Sequence, residues 1–410
     1  MQCLWLTLAD PDPAINGQLI YSKGLIESVA AAGARLTIVG LARPESPVRL
    51  GSDKDWHLAT YRKRSRMQNL LSPVPVVATR GYSEEMATTI EQLLRVRRFD
   101  AVVFDSIVLG WALPMVQAWQ AETGGRGKIV YLAHNHEISV ARRVADAASA
   151  ARRLVKELDA IKVRRLERRL IATSDLVTSN APEDCRRFAA EPGVPAVAYL
   201  PPGYGGQRVR RRAIDASIPR RAIVVGSFDW PPKRISLEAF LDAAAPLLGH
   251  AGIELQIVGA IESQYLDAMR ERYPEVDFVG PVEDVLPYMA KARVALVPDT
   301  LGGFKLKGLD YVFNRLPILA MRIALPGMPL LDGKSISLFD GHVELAQGVV
   351  RLIDDFTELN ARHEHAYAAC EQRFDWSRVG RHLLRHIGEA HRSSPQLALE
   401  LAAKASPAVR

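Results

Sequence analysis

The 410-residue chain has only three cysteines, Cys3, Cys185 and Cys370, and they lie far apart. Without a Cys-x-x-Cys pair, neither a disulfide framework nor a thiolate zinc site is expected, and a reducing cytosol suits the chain. Long apolar runs are missing as well. No charge-free stretch approaches the roughly 18 residues that a bilayer-spanning helix needs. The opening "MQCLWLTLADPDP" also lacks the basic start of a secretory signal. A cytoplasmic protein is expected, and any membrane contact would be peripheral, at an anionic inner face. Neither sign of charge dominates: 53 Lys and Arg against 46 Asp and Glu leave a net charge of +7. So modest a bias suits anionic substrates, an acidic membrane face or nucleic acid, and chooses none of them.

What the chain does have is a steady alternation. Short apolar runs such as "CLWLTLA", "RLTIVGL", "AVVFDS" and "KIVYLA" are separated by longer amphipathic stretches, and the second half repeats this with "RAIVVGS", "ELQIVG", "VDFVG" and "VALVP". That is the signature of βαβ units on a mainly parallel sheet. At this length two cores are expected. The fold class is α/β, with two doubly wound Rossmann-like domains facing across a cleft, where open parallel sheets bind ligands. The expected division is a first domain over 1–200, a Pro-, Gly- and Arg-rich linker over 201–221, and a second domain over 222–378. A helical tail over 379–410 would pack back on the first domain.

Chemistry concentrates at a few strand ends. "LGGFKLKGLDYVFNRLPILAM", residues 301–321, follows a buried-strand run with Gly302, Gly303 and Phe304 and then opens a helix. Exposed amides at a helix start attract anions. Lys305 and Lys307 would add mobile positive charge there, and Asp310, about one turn in, could accept hydrogen bonds from two vicinal hydroxyls. These residues alone fit an ordinary β–α connection slightly better, with solvated lysines and an Asp complementing the helix dipole. A second cation, Lys233, enters a helix after the strand that ends in Gly226 and Ser227. In the first half, "KIVYLAHNHEISVARRV" crowds His134, Asn135, His136 and Glu137 at the end of a buried strand, where polar groups usually face a cleft. His134 could orient a substrate, take its proton or hydrogen-bond it. A zinc site from His134 and His136 is disfavoured for want of a third ligand. Asn16 and Gly17 open the first helix, either as an N-cap and turn glycine or as a close backbone approach to a ligand.

From 222 to about 378 the series Val225, Gly226, Ser227, Asp229, Trp230, Pro232, then Ile257, Val258, Gly259, then Val276, Phe278, Gly280, Val282, Asp284 is completed by Gly303, Lys305, Lys307, Asp310, Pro317, Phe374 and Trp376. In that order it resembles the donor-binding half of a GT-B glycosyltransferase, of the retaining, family 4-like group that builds bacterial polysaccharides. The first half resembles the acceptor side of the same fold, with His134, Asn135 and Glu137 meeting its H-N-x-E pattern. The resemblance implies sugar transfer from a nucleoside-diphosphate-sugar to a hydroxyl of a glycan, lipid-linked or small acceptor. Anomeric configuration would be retained, with no metal or other cofactor. Donor binding would fall to Gly17, Ser227, Lys233, Gly302, Gly303, Phe304, Lys305, Lys307 and Asp310, and catalysis to His134 and Glu137. Relatives often carry Glu-x7-Glu where this chain has Gly302 and Asp310. That change keeps two other readings open: an epimerase on the same fold, and a nucleotide-sugar-binding subunit without turnover.

Two basic stretches bear on partners. Arg62, Lys63, Arg64 and Arg66 adjoin Met67, Leu70 and Leu71 in a pattern suited either to an anionic lipid surface or to a solvated helix edge. In "ARRLVKELDAIKVRRLERRLIATSD", Leu154, Leu158, Ile161, Leu166 and Leu170 share one side, which predicts an ordinary packed helix with a charged outer face. Neither stretch interleaves aromatics, so nucleic acid is not expected as a partner.

Overall fold

Runs such as "RLTIVGL" and "AVVFD" are apolar on both faces, so they belong where helices cover both sides of a parallel sheet. The computed structural model, which describes residues 1–47, 54–60, 72–194, 196–229, 231–300 and 304–390, places them there. The chain divides into two compact units: Met1–Gly203 with the chain from Asp375 onward, and Tyr204–Phe374.

In the first unit, β1 (Gln2–Ala9), β2 (Arg35–Leu41), β3 (Asp55–Ala59), β4 (Ala101–Asp105), β5 (Lys128–Ala133), β6 (Leu176–Ser179) and β7 (Val197–Tyr199) form one parallel sheet. Their order is β3-β2-β1-β4-β5-β6-β7. In the second, β8 (Arg221–Val225), β9 (Glu254–Val258), β10 (Val276–Gly280), β11 (Val294–Val297), β12 (Ile318–Met321) and β13 (Ser337–Phe339) run in the order β10-β9-β8-β11-β12-β13. Both are Rossmann-like sheets. In each, the chain reverses direction of growth beside the first strand, between β1 and β4 and between β8 and β11, and the carboxyl ends at that point are where such sheets hold ligands.

One strand escapes the sequence pattern. β3 lies at the sheet edge, and four of its five residues are only partly buried, so "DWHLA" carries no continuous apolar run. The helix Trp376–Glu389 packs on the helix Gly17–Ala31, with Val379, Leu383 and Ile387 sharing a core with Leu25, Ile26 and Val29. Two glycines permit this approach: a Cβ on Gly24 would fall 2.2 Å from the Trp376 ring, and one on Gly380 only 2.1 Å from the Ser28 carbonyl. The Arg-rich stretch after Tyr204 is anchored in the second unit. The Arg212 guanidinium donates to the carbonyls of Met289, Ala290 and Ala292, and Arg208 lies 3.9 Å over the Phe313 ring.

The helix Ala150–Thr173 differs from its expected packing. Leu166 and Leu170 are buried, but Leu154, Leu158 and Ile161 are 68%, 49% and 58% exposed. Their spacing is that of a core face, yet only the carboxyl-terminal half of the helix lies on the sheet.

Candidate functional site

In the second unit three elements converge at the carboxyl ends of β8 and β11. Just beyond β11 stands Asp299, 4% exposed, and Lys307 Nζ lies 2.5 Å from its Oδ2. Lys307 comes from the helix Leu306–Phe313, for which Lys305 is the N-cap residue. Lys233 comes from the helix Pro231–His250, whose Ser236 Oγ accepts from the Thr300 backbone N–H at 3.2 Å and lies 3.1 Å from the Thr300 hydroxyl. Those bonds hold the helix against the loop after β11. From the other helix, Tyr311 Oη accepts from the Val225 backbone N–H at 2.8 Å, fixing its position against the end of β8.

The electrostatics follow from this crowding. Burial would raise the Asp299 carboxyl, but Lys307, Lys305 and Lys233 overcome it and hold the group at about 2. Burial and the neighbouring charge of Lys307 bring Lys233 down to about 8. Asp310 is pushed up to about 6 by burial, against a hydrogen bond from Tyr204. The site is thus lysine-rich around one ionised carboxylate, with a second carboxyl poised near neutrality. Three cations brought together in a shielded place suit a multiply charged anion.

The expected donor-side residues fall as follows. Lys233, Lys305 and Lys307 all act on Asp299, but not as mobile charges: Lys305 is 7% exposed and Lys307 is locked in its ion pair. Burying an unpaired ammonium would cost several kcal/mol, so carboxylate and lysine go inside together. Asp310 sits one turn into the lysine-bearing helix and meets the Tyr204 hydroxyl. Ser227 lies at the end of β8, its hydroxyl 3.4 Å from Asp229. Phe304 packs on Phe374 at 5.7 Å and lies, half-buried, against the apolar core. Gly302 and Gly303 lie outside the described residues, as do Trp230 and the stretch from Arg62 to Leu71. Gly17 begins the first helix, exposed, behind an Asn16 cap whose Oδ1 accepts from Leu19 N–H at 3.1 Å.

In the first unit, His134 and Glu137 lie close enough to interact electrostatically but hydrogen-bond to different partners. His134 Nε2 lies 2.6 Å from Oδ1 of Asp105, the last residue of β4, which is 1% exposed. The Trp5 indole N–H and the Thr7 hydroxyl donate to its other oxygen, each at 3.2 Å. A carboxylate so held makes Nε2 the protonated nitrogen and leaves Nδ1 as an acceptor, the arrangement of an orienting acid behind a working imidazole. Ser106, next in the chain, has φ 90° and ψ 157°, a region nearly confined to glycine. Strain of this kind, about 1–3 kcal/mol, concentrates at functional positions.

Glu137 instead accepts from the Asn135 amide at 3.0 Å, and its carboxyl is raised by burial. Its backbone N–H and that of Ile138 donate to the buried Glu167, at 3.1 and 2.7 Å. His136 turns away, hydrogen-bonding Ser139 at 2.6 Å and meeting Phe188 edge-on, so it does not join His134 on a shared ligand. Among the described residues no group of three His, Cys, Asp or Glu is placed to hold a metal.

Sequence reasoning missed Asp299, Tyr204 and Asp105. Both acids carried the signal that marked His134, a polar residue at the carboxyl end of an apolar strand, in "VALVPDT" and "AVVFDS". Tyr204 carried none, since its partner lies 106 residues away by number.

Residues 219–355 match a family model described as glycosyl transferases group 1. No curated protein sequence matches the chain. Among solved structures, sucrose-phosphate synthase from Thermosynechococcus elongatus superposes with a TM-score of 0.73 at 17% identity, over 95% of this chain and 100% of that one. WaaG, a glycosyltransferase involved in lipopolysaccharide biosynthesis, gives 0.66 at 15% identity, over 94% and 99%. HepE of Anabaena, determined with UDP-glucose, gives 0.65 at 14% identity, over 95% and 100%. The chain shares the GT-B fold of these solved structures, and the stretch that matches the group 1 glycosyl transferase model lies within its second unit.

Proposed function

We propose that this protein transfers a sugar from a nucleoside-diphosphate-sugar to a hydroxyl of a glycan, lipid-linked or small-molecule acceptor. The observation that carries this reading is the convergence of Lys233, Lys305 and Lys307 on Asp299 at the carboxyl ends of β8 and β11, with Asp310 on the same helix as Lys307. A diphosphate needs cations, and a ribose needs a paired acceptor for its two hydroxyls. The three lysines meet the first need and Asp310 the second.

Departure of a nucleoside diphosphate builds negative charge on its terminal phosphate. Preorganised ammonium groups in a water-poor site stabilise that charge without rearranging, which is the largest catalytic contribution this unit can make. Such a site gives the lysines the role a divalent cation plays elsewhere, so we propose transfer without a metal. We propose retention of anomeric configuration on the strength of the family resemblance. In the first unit, the Asp105-held His134 offers Nδ1 to a sugar or acceptor hydroxyl, and Glu137 is assigned to the same polar cluster. The solved HepE complex contains UDP-glucose, which makes uridine diphosphate sugars the first donors to test.

The test is a product assay with UDP-, GDP-, ADP- and TDP-sugars and a mixed panel of acceptors. Transfer predicts free nucleoside diphosphate together with a glycosylated acceptor. An epimeric sugar nucleotide as sole product, or donor binding with no turnover on any acceptor, would contradict it.

A further inference from the structure

Asp299 puts a negative charge among the very cations that a diphosphate would need. It is buried just beyond β11, and its Oδ2 meets Lys307 Nζ at 2.5 Å. The chain is pinned on either side of it: the Thr300 N–H donates to Ser236 Oγ at 3.2 Å, and His342 Nε2 lies 3.1 Å from the Pro298 carbonyl. Asp299 is thereby held in place, and an arriving diphosphate must share Lys307 with it. Lys305 and Lys233 act on the same carboxylate. Three ammonium groups against one carboxylate leave two positive charges. The other acids nearby change this little. Asp229, which bears on Lys233, is exposed and screened by water, and Asp310 meets Tyr204.

We propose that Asp299 keeps the second unit from preferring the free nucleoside diphosphate that transfer releases over the sugar nucleotide that transfer consumes. The proposal rests on the donor-site reading above and deepens it. In transfer the acceptor hydroxyl gives up its proton to water and bonds to the sugar, and the electron pair of the broken bond stays on the phosphate oxygen. The two phosphates of the donor carry about two negative charges, and those of the product about three above a second phosphate pKa of about 6. Two positive charges balance the donor. The third charge of the product finds no ammonium left over and is repelled by Asp299. With three lysines and no Asp299, the product would be held more tightly than the donor and would block the next turnover. Asp299 acts through Lys307 and through its own charge, as a positioning residue that touches no reacting atom.

The experiment is titration calorimetry of the full chain at about pH 7 with UDP, GDP, ADP and TDP, each free and as the methyl ester of its terminal phosphate. The ester has the charge of a sugar nucleotide and no sugar, so the comparison reads charge alone. The parent should bind a free diphosphate and its ester within roughly threefold of each other. In Asp299→Asn, which keeps the shape of the side chain, the free form should gain roughly tenfold over the ester. A purely structural role for Asp299 would lower the melting temperature of that variant and leave the ratio alone, so an unchanged ratio overturns the proposal. A parent that already prefers the free form by roughly tenfold overturns it too, whether or not the variant folds. Binding of none of these ligands by the parent would overturn the donor-site reading, and this inference with it.

Discussion

Lys233 and Asp310 set opposite limits on the pH at which the second unit can hold a nucleoside diphosphate. Asp310, at about 6, is a carboxylate above that pH and a neutral acid below it, so its grip on ribose hydroxyls strengthens as pH rises through 6. Lys233, at about 8, is an ammonium below that pH and loses its charge above it. Affinity for nucleoside diphosphate should therefore be greatest between the two and fall on either side. The bound phosphates will hold the Lys233 proton and carry the alkaline limb upward. Titration calorimetry from pH 5 to pH 9 checks this, with Asp310→Asn flattening the acid limb and Lys233→Gln the alkaline one; a level profile in the parent would sink it. Lys307→Ala is a poorer probe, since it strands a buried Asp299 and should cost about 3–5 kcal/mol of stability. In the first unit, Asp105→Asn removes the charge that holds His134 in one tautomer. Turnover should fall on the order of 100-fold while donor affinity stays put. Nitrogen NMR of the imidazole should show the tautomer shift, and unchanged turnover would remove Asp105 from any positioning role. The lysines were legible as residue types near a strand end. Their common partner Asp299 was not, because pairing across 66 residues to Lys233 is a product of sheet order and leaves no local mark.

Helices were legible as periodic stretches, while what each lies against was not. The row at Leu154, Leu158 and Ile161 obeys the same spacing as the buried residues Leu166 and Leu170, yet only the latter reach a core. Period records which residues share a face and says nothing of whether a sheet lies beneath it. The edge strand β3 shows the converse, a true element with too little burial to print a pattern. Glycines in the helix Trp376–Glu389 make the point testable. Gly380 abuts the Ser28 carbonyl, whereas a Cβ on Gly388 would meet nothing within 4 Å. Gly380→Ala should force the helix off its neighbour and destabilise the first unit by about 1–3 kcal/mol. Gly388→Ala should be neutral or stabilise by up to about 1 kcal/mol, by reducing the freedom of the unfolded chain. Thermal melts of the two variants should move apart; equal melting temperatures would mean that the close approach at Gly380 relaxes without cost.

At the scale of the whole chain, two units carry the same parallel strand order, and each places its polar cluster at the carboxyl ends beside its first strand. This much was legible from the alternation of short apolar and long amphipathic runs, since strands covered on both faces must be apolar throughout. The central claim is that the second unit grips a nucleoside diphosphate between its lysines and Asp310. A thermal-shift titration of the full chain with UDP, GDP, ADP and TDP, alongside Asp310→Ala, tests it most directly. Ligand that binds only the folded state adds about 2.7 kcal/mol at a hundredfold excess over its dissociation constant. One diphosphate should raise the parent's melting temperature accordingly, and Asp310→Ala should lose most of that rise. No response to any of the four, or an equal rise in parent and variant, would contradict the account.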